Sequence, residues 1–309
     1  MERYVTPPIK NLDLYDMWKK HVRCFWTKDE INITSSDLRE WNDLTPDERQ
    51  FFKCILGFFA STNIIVSDNL ALRFLADPNI SREARCFYSF QIAMENIHSE
   101  TYIELLTAYV PEEKERNELL YSIISWPCLN VKSRWAVKWM NDEFATYAER
   151  LVAFAVVEGI MFSSSFAGIY WIKQSGLLAG LTQANEFISR DEGLHCTFAC
   201  TMYGKIKPRL PDTKVRKIVL EGCEVEKLFV KHALRKPLLG MNSHLMETYV
   251  NFVTDNLLTD LGYEKEFGVN NPFPFMDNIS MQGKTNFFER RVTEYTRLTG
   301  HGFTTSVEF

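Results

Sequence analysis

The feature that most constrains the fold of this chain is an apolar segment at residues 151–172, in which Glu158 is the only charged residue. Its 22 residues would suffice for a membrane-spanning helix, which needs about 20 apolar residues. A carboxylate in the middle of a bilayer is costly, however, and a helix that is apolar on all sides is also typical of the centre of a large soluble bundle. We therefore predict a buried core helix, with the membrane span as the alternative.

Strand signals are almost absent, and apolar residues recur at helical spacing along most of the chain. Thr45, Pro46 and Glu48 form a helix start, in which Thr caps the helix, Pro takes its first position and Glu completes a capping box. Apolar residues then follow at spacings of three and four, and Asn63 is the only polar member of that face. Further helices are predicted at residues 82–109, before Pro111, and at 112–125, 130–173, 183–203, 213–235 and 243–261.

Two Glu-x-x-His motifs, Glu95 with His98 and Glu192 with His195, lie on separate predicted helices. Residues three apart project from one helix face, so each motif offers a carboxylate and an imidazole to one point. Two such motifs on apolar helices are typical of di-iron bundles, which add one inward carboxylate from each of two other helices. The alternative is a set of buried polar residues that hydrogen-bond to one another.

The two remaining ligands are expected at related positions of a repeated helix pair. Glu158 lies 34 residues before Glu192, and Asn63 lies 32 residues before Glu95. Both are polar residues on otherwise apolar helices, where an unpaired polar group would be costly. Carboxylate and imidazole ligands without thiolate suit iron or manganese.

Tyr102 follows the first motif by one helical turn and faces the same side. Most buried tyrosines fill space and hydrogen-bond through the hydroxyl group. A phenol one turn beyond an iron ligand could instead be oxidised. Periodicity alone leaves both interpretations open.

Composition argues against several classes of protein. The net charge is -5 and no dense run of Lys or Arg occurs, so nothing indicates a nucleic-acid partner. The seven cysteines are scattered without a Cys-x-x-Cys pair, which argues against a disulfide framework and fits a reducing cytoplasm. The first residues contain no apolar stretch, and we expect no signal peptide.

Three segments, at residues 91–102 (QIAMENIHSETY), 156–177 and 185–200, resemble the small subunit of eukaryotic-type class I ribonucleotide reductase. The similarity extends from about Asp13 to the end of the chain. It implies an all-α, ferritin-like helical bundle with long buried helices and a flexible C-terminal tail. Residues 1–285 would form the di-metal domain with an N-terminal arm, and residues 286–309 the C-terminal segment and tail that bind the large subunit.

The resemblance also implies an activity. Two iron ions would react with O2 and oxidise Tyr102 to a stable radical, which the large subunit uses to reduce ribonucleotides to deoxyribonucleotides. Manganese is the alternative metal, and a homodimer is expected. The implied metal ligands are Glu95, His98, Glu158, Glu192 and His195, with Asn63 as a doubtful, weak ligand.

A path for radical transfer is implied as well. Asp191 would orient His98 and link it to Trp26, Arg190 would lie beside them, and Tyr295 would pass the oxidising equivalent to the large subunit. The plainer alternatives are packing for Trp26, a surface charge for Asp191 and a surface position for Tyr295. The residues expected to bind the large subunit are Phe303, Glu308 and Phe309.

Asn63 departs from the family pattern, which has Asp at this position. An Asn side chain offers a neutral carbonyl oxygen, a weaker ligand for a hard cation. The chain would then either assemble a modified centre or serve as a metal-poor structural partner of another small subunit. The intact Tyr102 and the five other ligand positions favour the modified centre. Another ferritin-like di-iron protein, an oxygenase or iron store, would leave Trp26 and Tyr295 unexplained.

Overall fold

A computed structural model describes residues 7–276, and the structural statements below concern that part of the chain. Tyr295, the tail residues and the predicted boundary at residue 285 lie outside it. The α-helices, in chain order, are α1 (Leu12–Arg23), α2 (Ser35–Asp43), α3 (Pro46–Asn69), α4 (Arg82–Tyr109), α5 (Glu113–Leu120), α6 (Ser122–Ser125), α7 (Pro127–Asn141), α8 (Tyr147–Val156), α9 (Ser163–Lys173), α10 (Ala179–Gly204), α11 (Asp212–Ala233) and α12 (Ser243–Asp260).

The predicted all-α class is confirmed. Within residues 7–276 no strand occurs, and one isolated β-bridge joins Leu238 and Met241. A 3-10 turn occupies Lys28–Glu30, and π-helical turns occupy Leu70–Leu75 and Val157–Met161. The second π-helical turn joins α8 to α9 without interrupting the rod, and π-helical turns of this kind are frequent at functional sites.

The helix predictions are right where local capping signals are strong. Helix α4 has the predicted bounds, and α3 begins at Pro46 with the capping box of Thr45 and Glu48. The single helix predicted at 130–173 is wrong, because α7 ends at Asn141 and α8 begins at Tyr147. The Asp142 carboxylate accepts two backbone N–H groups in the connecting turn, and Thr146 caps α8. The predicted helix at 112–125 is likewise divided into α5 and α6, and α1 and α2 were not predicted.

The apolar segment at 151–172 lies in the core, as predicted, and almost all of its side chains are buried. Two helical rods of the described part, Pro46–Leu75 and Tyr147–Lys173, are long and apolar enough to cross a membrane. In the second, 94% of the most apolar stretch is buried inside the bundle. Because core helices of soluble proteins share this length and composition, the observation is weak support for a membrane span.

Packing of the long helices around one centre positions the polar residues. Helix α3 packs along α4, α10 packs against α8 and α9, and α1 lies across α4 and α10. Phenylalanine rings from α3 and from the α8–α9 rod fill the space between them, including Phe58, Phe59, Phe154 and Phe162. The elements that carry the two Glu-x-x-His motifs, Glu158 and Asn63 thus surround the same part of the core.

Candidate metal centre

Three helical segments direct polar side chains toward one buried point, and a fourth places Asn63 beside it. Asn63 lies on α3, Glu158 lies on the π-helical turn between α8 and α9, and the two Glu-x-x-His motifs lie on α4 and α10. Since residues three apart share a helix face, each motif presents its carboxylate and imidazole together. Four buried residues have ligand atoms within 4.8 Å of one another: Glu95, Glu158, Glu192 and His195.

The two motifs face each other through their carboxylates. Glu95 lies between the two rings, with Oε2 3.5 Å from His98 Nδ1 and Oε1 3.2 Å from His195 Nδ1. Glu192 is placed equivalently, with Oε1 3.0 Å from His98 Nδ1 and Oε2 3.2 Å from His195 Nδ1. Glu158 Oε2 lies 3.7 Å from His195 Nδ1. Glu95 and Glu192 thus each lie close to both imidazole rings.

Several buried polar atoms of this cluster have no hydrogen-bond partner among residues 7–276: both carboxylate oxygens of Glu95, Oε2 of Glu158 and Nδ1 of His98. His98 Nδ1 is close enough to Glu192 for an ion pair, but no hydrogen bond joins the two. Buried polar atoms in native proteins are almost always paired, so unpaired atoms that converge on one point indicate a further partner. Divalent cations fit this role, because the groups are carboxylates and imidazoles.

Asn63 lies beside this cluster. It is buried and, together with Glu95, lines a cavity of about 320 Å³ between α3 and α4. Ile64, Ile103 and the exposed Asn96 line the same cavity nearer the surface. Asn63 is thus buried next to Glu95, and its role as a weak sixth ligand stays a prediction.

The protonation of the cluster follows from burial and crowding. Burial alone would lower the pKa of His98 and His195, but the neighbouring carboxylates outweigh it and raise the pKa of both rings well above its usual range. Burial and the charge of Glu192 raise the pKa of Glu158 well above its usual range, which favours its protonated form. In the metal-free protein these protons occupy the groups that would bind cations.

We expect metal binding to strengthen as pH rises. Both rings and Glu158 have raised pKa values, so they hold protons at neutral pH and a cation must displace them. The apparent affinity should rise about tenfold per pH unit for each proton displaced. An anaerobic Mn(II) titration between about pH 6 and 8, with a pH indicator to count released protons, checks this. An affinity independent of pH, with no proton release, would contradict it.

Asp191 joins the cluster to the segment that follows α1. Trp26 Nε1 donates a hydrogen bond to Asp191 Oδ2 at 2.7 Å, and His98 Nε2 lies 3.2 Å from the same oxygen. Arg190 donates to Asp191 Oδ1 at 3.0 and 2.9 Å and to the Cys24 carbonyl at 2.7 Å. Although burial alone would raise the pKa of Asp191, Arg190 and His98 hold it well below its usual range. The predicted contacts are present, and the role in radical transfer stays a prediction.

Tyr102 is buried one turn beyond the first motif. Its ring stacks on Phe59, with 4.4 Å between the centroids and 8° between the planes, and Phe59 also contacts Phe162 and Phe166. The hydroxyl group has no hydrogen-bond partner in the described part of the chain. Burial and the charge of Glu192 raise the pKa of the phenol well above its usual value. Tyr102 is therefore a buried, protonated phenol with an aromatic ring stacked against its own.

Two buried residues at the cluster were not predicted. Gln91 Nε2 donates to Glu158 Oε1 at 3.3 Å, and Nε2 of His21 on α1 lies 3.3 Å from Nε2 of His195. Burial lowers the pKa of His21 to about 3, so its ring is neutral. Gln91 lies one turn before Glu95, a spacing that could have indicated it. No local pattern marks His21, because its partner is 174 residues away in the chain.

Comparisons with known proteins identify the family to which the chain belongs. The family model described as "Ribonucleotide reductase, small chain" matches residues 3–272. The ribonucleoside-diphosphate reductase small chain of Vaccinia virus (strain Western Reserve) is 50% identical over 296 residues, which cover 96% of this chain and 92% of the viral protein. The Homo sapiens ribonucleoside-diphosphate reductase subunit M2 is 48% identical over 313 residues, which cover 99% of this chain and 80% of the human protein.

A solved structure extends the similarity to the fold. The ribonucleotide reductase Rnr4 homodimer from Saccharomyces cerevisiae superimposes with a TM-score of 0.79 at 31% identity, over 96% of this chain and 90% of the yeast chain. The predicted ferritin-like fold is confirmed by this match. The chain therefore belongs to the ribonucleotide reductase small-chain family, the small subunits of ribonucleoside-diphosphate reductase, for which a dinuclear metal centre and a tyrosyl radical are characteristic.

Proposed function

We propose that this chain forms a dinuclear iron centre beside Tyr102 and carries the radical of ribonucleotide reduction on that residue. The observation that supports the proposal is the convergence of both Glu-x-x-His motifs and Glu158 on one buried point. When bound, two ferrous ions supply, with O2, the one-electron oxidation of the phenol. The proposed ligands are Glu95, His98, Glu158, Glu192, His195 and, weakly, Asn63.

The residues around the proposed centre have distinct roles. Glu95 and Glu192 lie within 3.5 Å of both imidazole rings and would hold the metal ions together with the two histidines. Glu158 would release its proton when the centre is loaded. The stacked ring of Phe59 would keep water from Tyr102, which preserves an oxidised phenol. The alternative of a metal-poor structural partner is not favoured, because such a subunit would not need these converging groups.

Iron is the metal that we propose, with manganese as the alternative. The cluster offers oxygen and nitrogen donors without a thiolate, which suits both metals. Metal analysis of the protein as isolated, together with its radical spectrum after addition of ferrous iron and O2, distinguishes them. A protein that takes up manganese but forms no radical with iron would contradict the proposal of iron.

The large subunit is the proposed partner, and the C-terminal tail is its proposed binding segment. We expect that deletion of residues 303–309 abolishes ribonucleotide reduction in the mixed holoenzyme, because the aromatic anchors Phe303 and Phe309 are lost. Radical formation in the isolated small subunit should be unchanged, because the proposed metal ligands lie between residues 63 and 195 and none of them is deleted. A chain whose last seven residues are scrambled, at the same composition, is the matched control and should be inactive as well. Unchanged reduction after deletion would count against the proposed function.

Asn63 should limit metal affinity. With three carboxylates at the cluster, two divalent cations keep an uncompensated positive charge that a fourth carboxylate would neutralise. Asn63→Asp is therefore expected to strengthen metal binding by about tenfold or more. Asn96→Asp, which adds the same charge on the exposed side of the same cavity, is the control and should change affinity little. Equal effects of the two substitutions in a Mn(II) titration would contradict the assignment of Asn63 as a ligand.

We further infer a cytoplasmic homodimer. Ile64, Leu72 and Ile103 are 70%, 65% and 45% exposed on α3, its π-helical turn and α4, and such aliphatic surface is typical of a protein interface. All seven cysteines are free thiols, which suits a reducing compartment. Sedimentation analysis tests the dimer, and a monomer at micromolar concentration would contradict it.

A further inference from the structure

The two imidazole rings of the cluster have different partners on their outer sides. His98 Nε2 lies 3.2 Å from the Asp191 carboxylate, whereas His195 Nε2 lies 3.3 Å from Nε2 of His21. His21 is completely buried near the end of α1. Its ring packs against Phe87 and Phe90, with centroids 5.1 and 4.8 Å away. The His21 side chain is therefore held in a fixed position with one nitrogen directed at His195.

The direction of this hydrogen bond follows from the inner side of His195. Nδ1 of His195 lies 3.2 Å from both Glu95 and Glu192, so it is the nitrogen that faces the metal position. An imidazole nitrogen that binds a metal carries no proton, which places the proton of His195 on Nε2. Nε2–H of His195 must then donate, and Nε2 of His21 must accept. The proton of His21 consequently lies on its Nδ1, which has no hydrogen-bond partner within residues 7–276.

We infer that His21 is a positioning residue that holds His195 in the tautomer and orientation required for metal binding. This inference rests on the proposed metal centre and adds a residue to it. Hydrogen-bond acceptors behind metal-bound histidines fix the ring and increase its basicity. His98 has an anionic acceptor that Arg190 holds in place, whereas His195 has a neutral one. The two metal positions are therefore unequal, with the His195 position relying on an uncharged ring.

Substitutions of His21 separate positioning from packing. His21→Phe keeps an aromatic ring but removes the acceptor, and should weaken one of the two Mn(II) equivalents by about 10- to 100-fold. His21→Gln keeps an acceptor oxygen and should bind both equivalents within about threefold of the natural protein. Trp41→Phe weakens a buried stack on Tyr109 that does not involve His21, and is the control, expected to lower the unfolding temperature without changing Mn(II) affinity. Anaerobic titration followed by electron paramagnetic resonance measures each affinity and the spectrum of bound Mn(II).

Two outcomes would overturn the inference: native Mn(II) affinity in a folded His21→Phe protein, or equal weakening by Gln and Phe. Failure of the natural protein to bind two equivalents would instead overturn the proposed centre, and the inference with it. If His21→Phe does not fold, nitrogen-15 NMR of the natural protein loaded with Zn(II) shows which imidazole nitrogens carry protons. The chain has only six histidines to assign. A proton on His195 Nε2 and none on His21 Nε2 is expected, and the reverse pattern would overturn the inference.

Discussion

Replacement of Tyr102 by Phe is expected to abolish the radical signal while both metal ions still bind. The substitution removes only a hydroxyl group that has no hydrogen-bond partner in the described part of the chain, so it leaves no buried group unpaired. The phenyl ring can keep its stacking on Phe59. Without the hydroxyl group, however, no phenol is available for oxidation beside the cluster. Ribonucleotide reduction with the large subunit should therefore fall to background.

Electron paramagnetic resonance after addition of ferrous iron and O2 measures the radical, and metal analysis measures occupancy. Tyr109→Phe is the matched control, because Tyr109 lies on the same helix two turns further on, is buried, and stacks on Trp41. It should keep the radical and its activity. A radical of normal intensity in the Tyr102→Phe protein would assign the oxidised residue elsewhere and contradict the proposal.

Replacement of Lys132 by Met is expected to cause the largest loss of stability. Lys132 is buried on α7, where its ammonium group lies 2.7 Å from the Glu226 carboxylate and 2.7 Å from the Met161 carbonyl oxygen. It also lies over the rings of Phe58 and Phe229, at 3.6 and 4.0 Å from their centroids. Removal of Lys132 leaves Glu226 buried without its counter-ion, which should lower the free energy of unfolding by about 3–5 kcal/mol.

The same ion pair supports the turn that carries Glu158. Met161 is the last residue of that π-helical turn, and Ser164, which follows it, donates to Glu226. Loss of Lys132 should therefore also weaken metal binding. Burial raises the pKa of Glu226, so the destabilisation should diminish as pH falls and Glu226 takes up a proton. At a pH below the raised pKa of Glu226, its carboxyl group is neutral, so the Lys132→Met variant no longer buries an unpaired charge there.

Urea unfolding of three variants tests this account. Lys132→Met combined with Glu226→Leu removes both charges and should recover most of the lost stability. Lys138→Met is the matched control on the same helix, because Lys138 is exposed and its ammonium group lies 3.4 Å from the carboxylate of the partly exposed Glu221. Such surface pairs contribute about 0–1 kcal/mol. A Lys132→Met protein as stable as the Lys138→Met protein would show that the buried pair does not stabilise the fold.

Helix bounds and motifs could be predicted from the sequence where neighbouring residues specify them. Ser81 caps α4 and Pro111 follows its end, so both bounds of that helix were predictable from neighbouring residues. The Glu-x-x-His motifs were recognisable because i and i+3 positions always share a helix face. The break between α7 and α8 was missed, because apolar residues continue at helical spacing on both sides while Asp142 and Thr146 end and restart the helix. The π-helical turn at Glu158 has no sequence signal of its own.

The sequence alone determined the all-helical class, the helix ends with strong caps, and the chemical types of the candidate ligands. Those properties depend on residues within one or two turns of each other. Tertiary packing alone decided that Glu95 and Glu192 lie between both imidazole rings, that His21 meets His195, and that Lys132 meets Glu226. These partners are far apart in the chain and come together only when α1, α4, α7, α10 and α11 pack around one core, so no local periodicity records them.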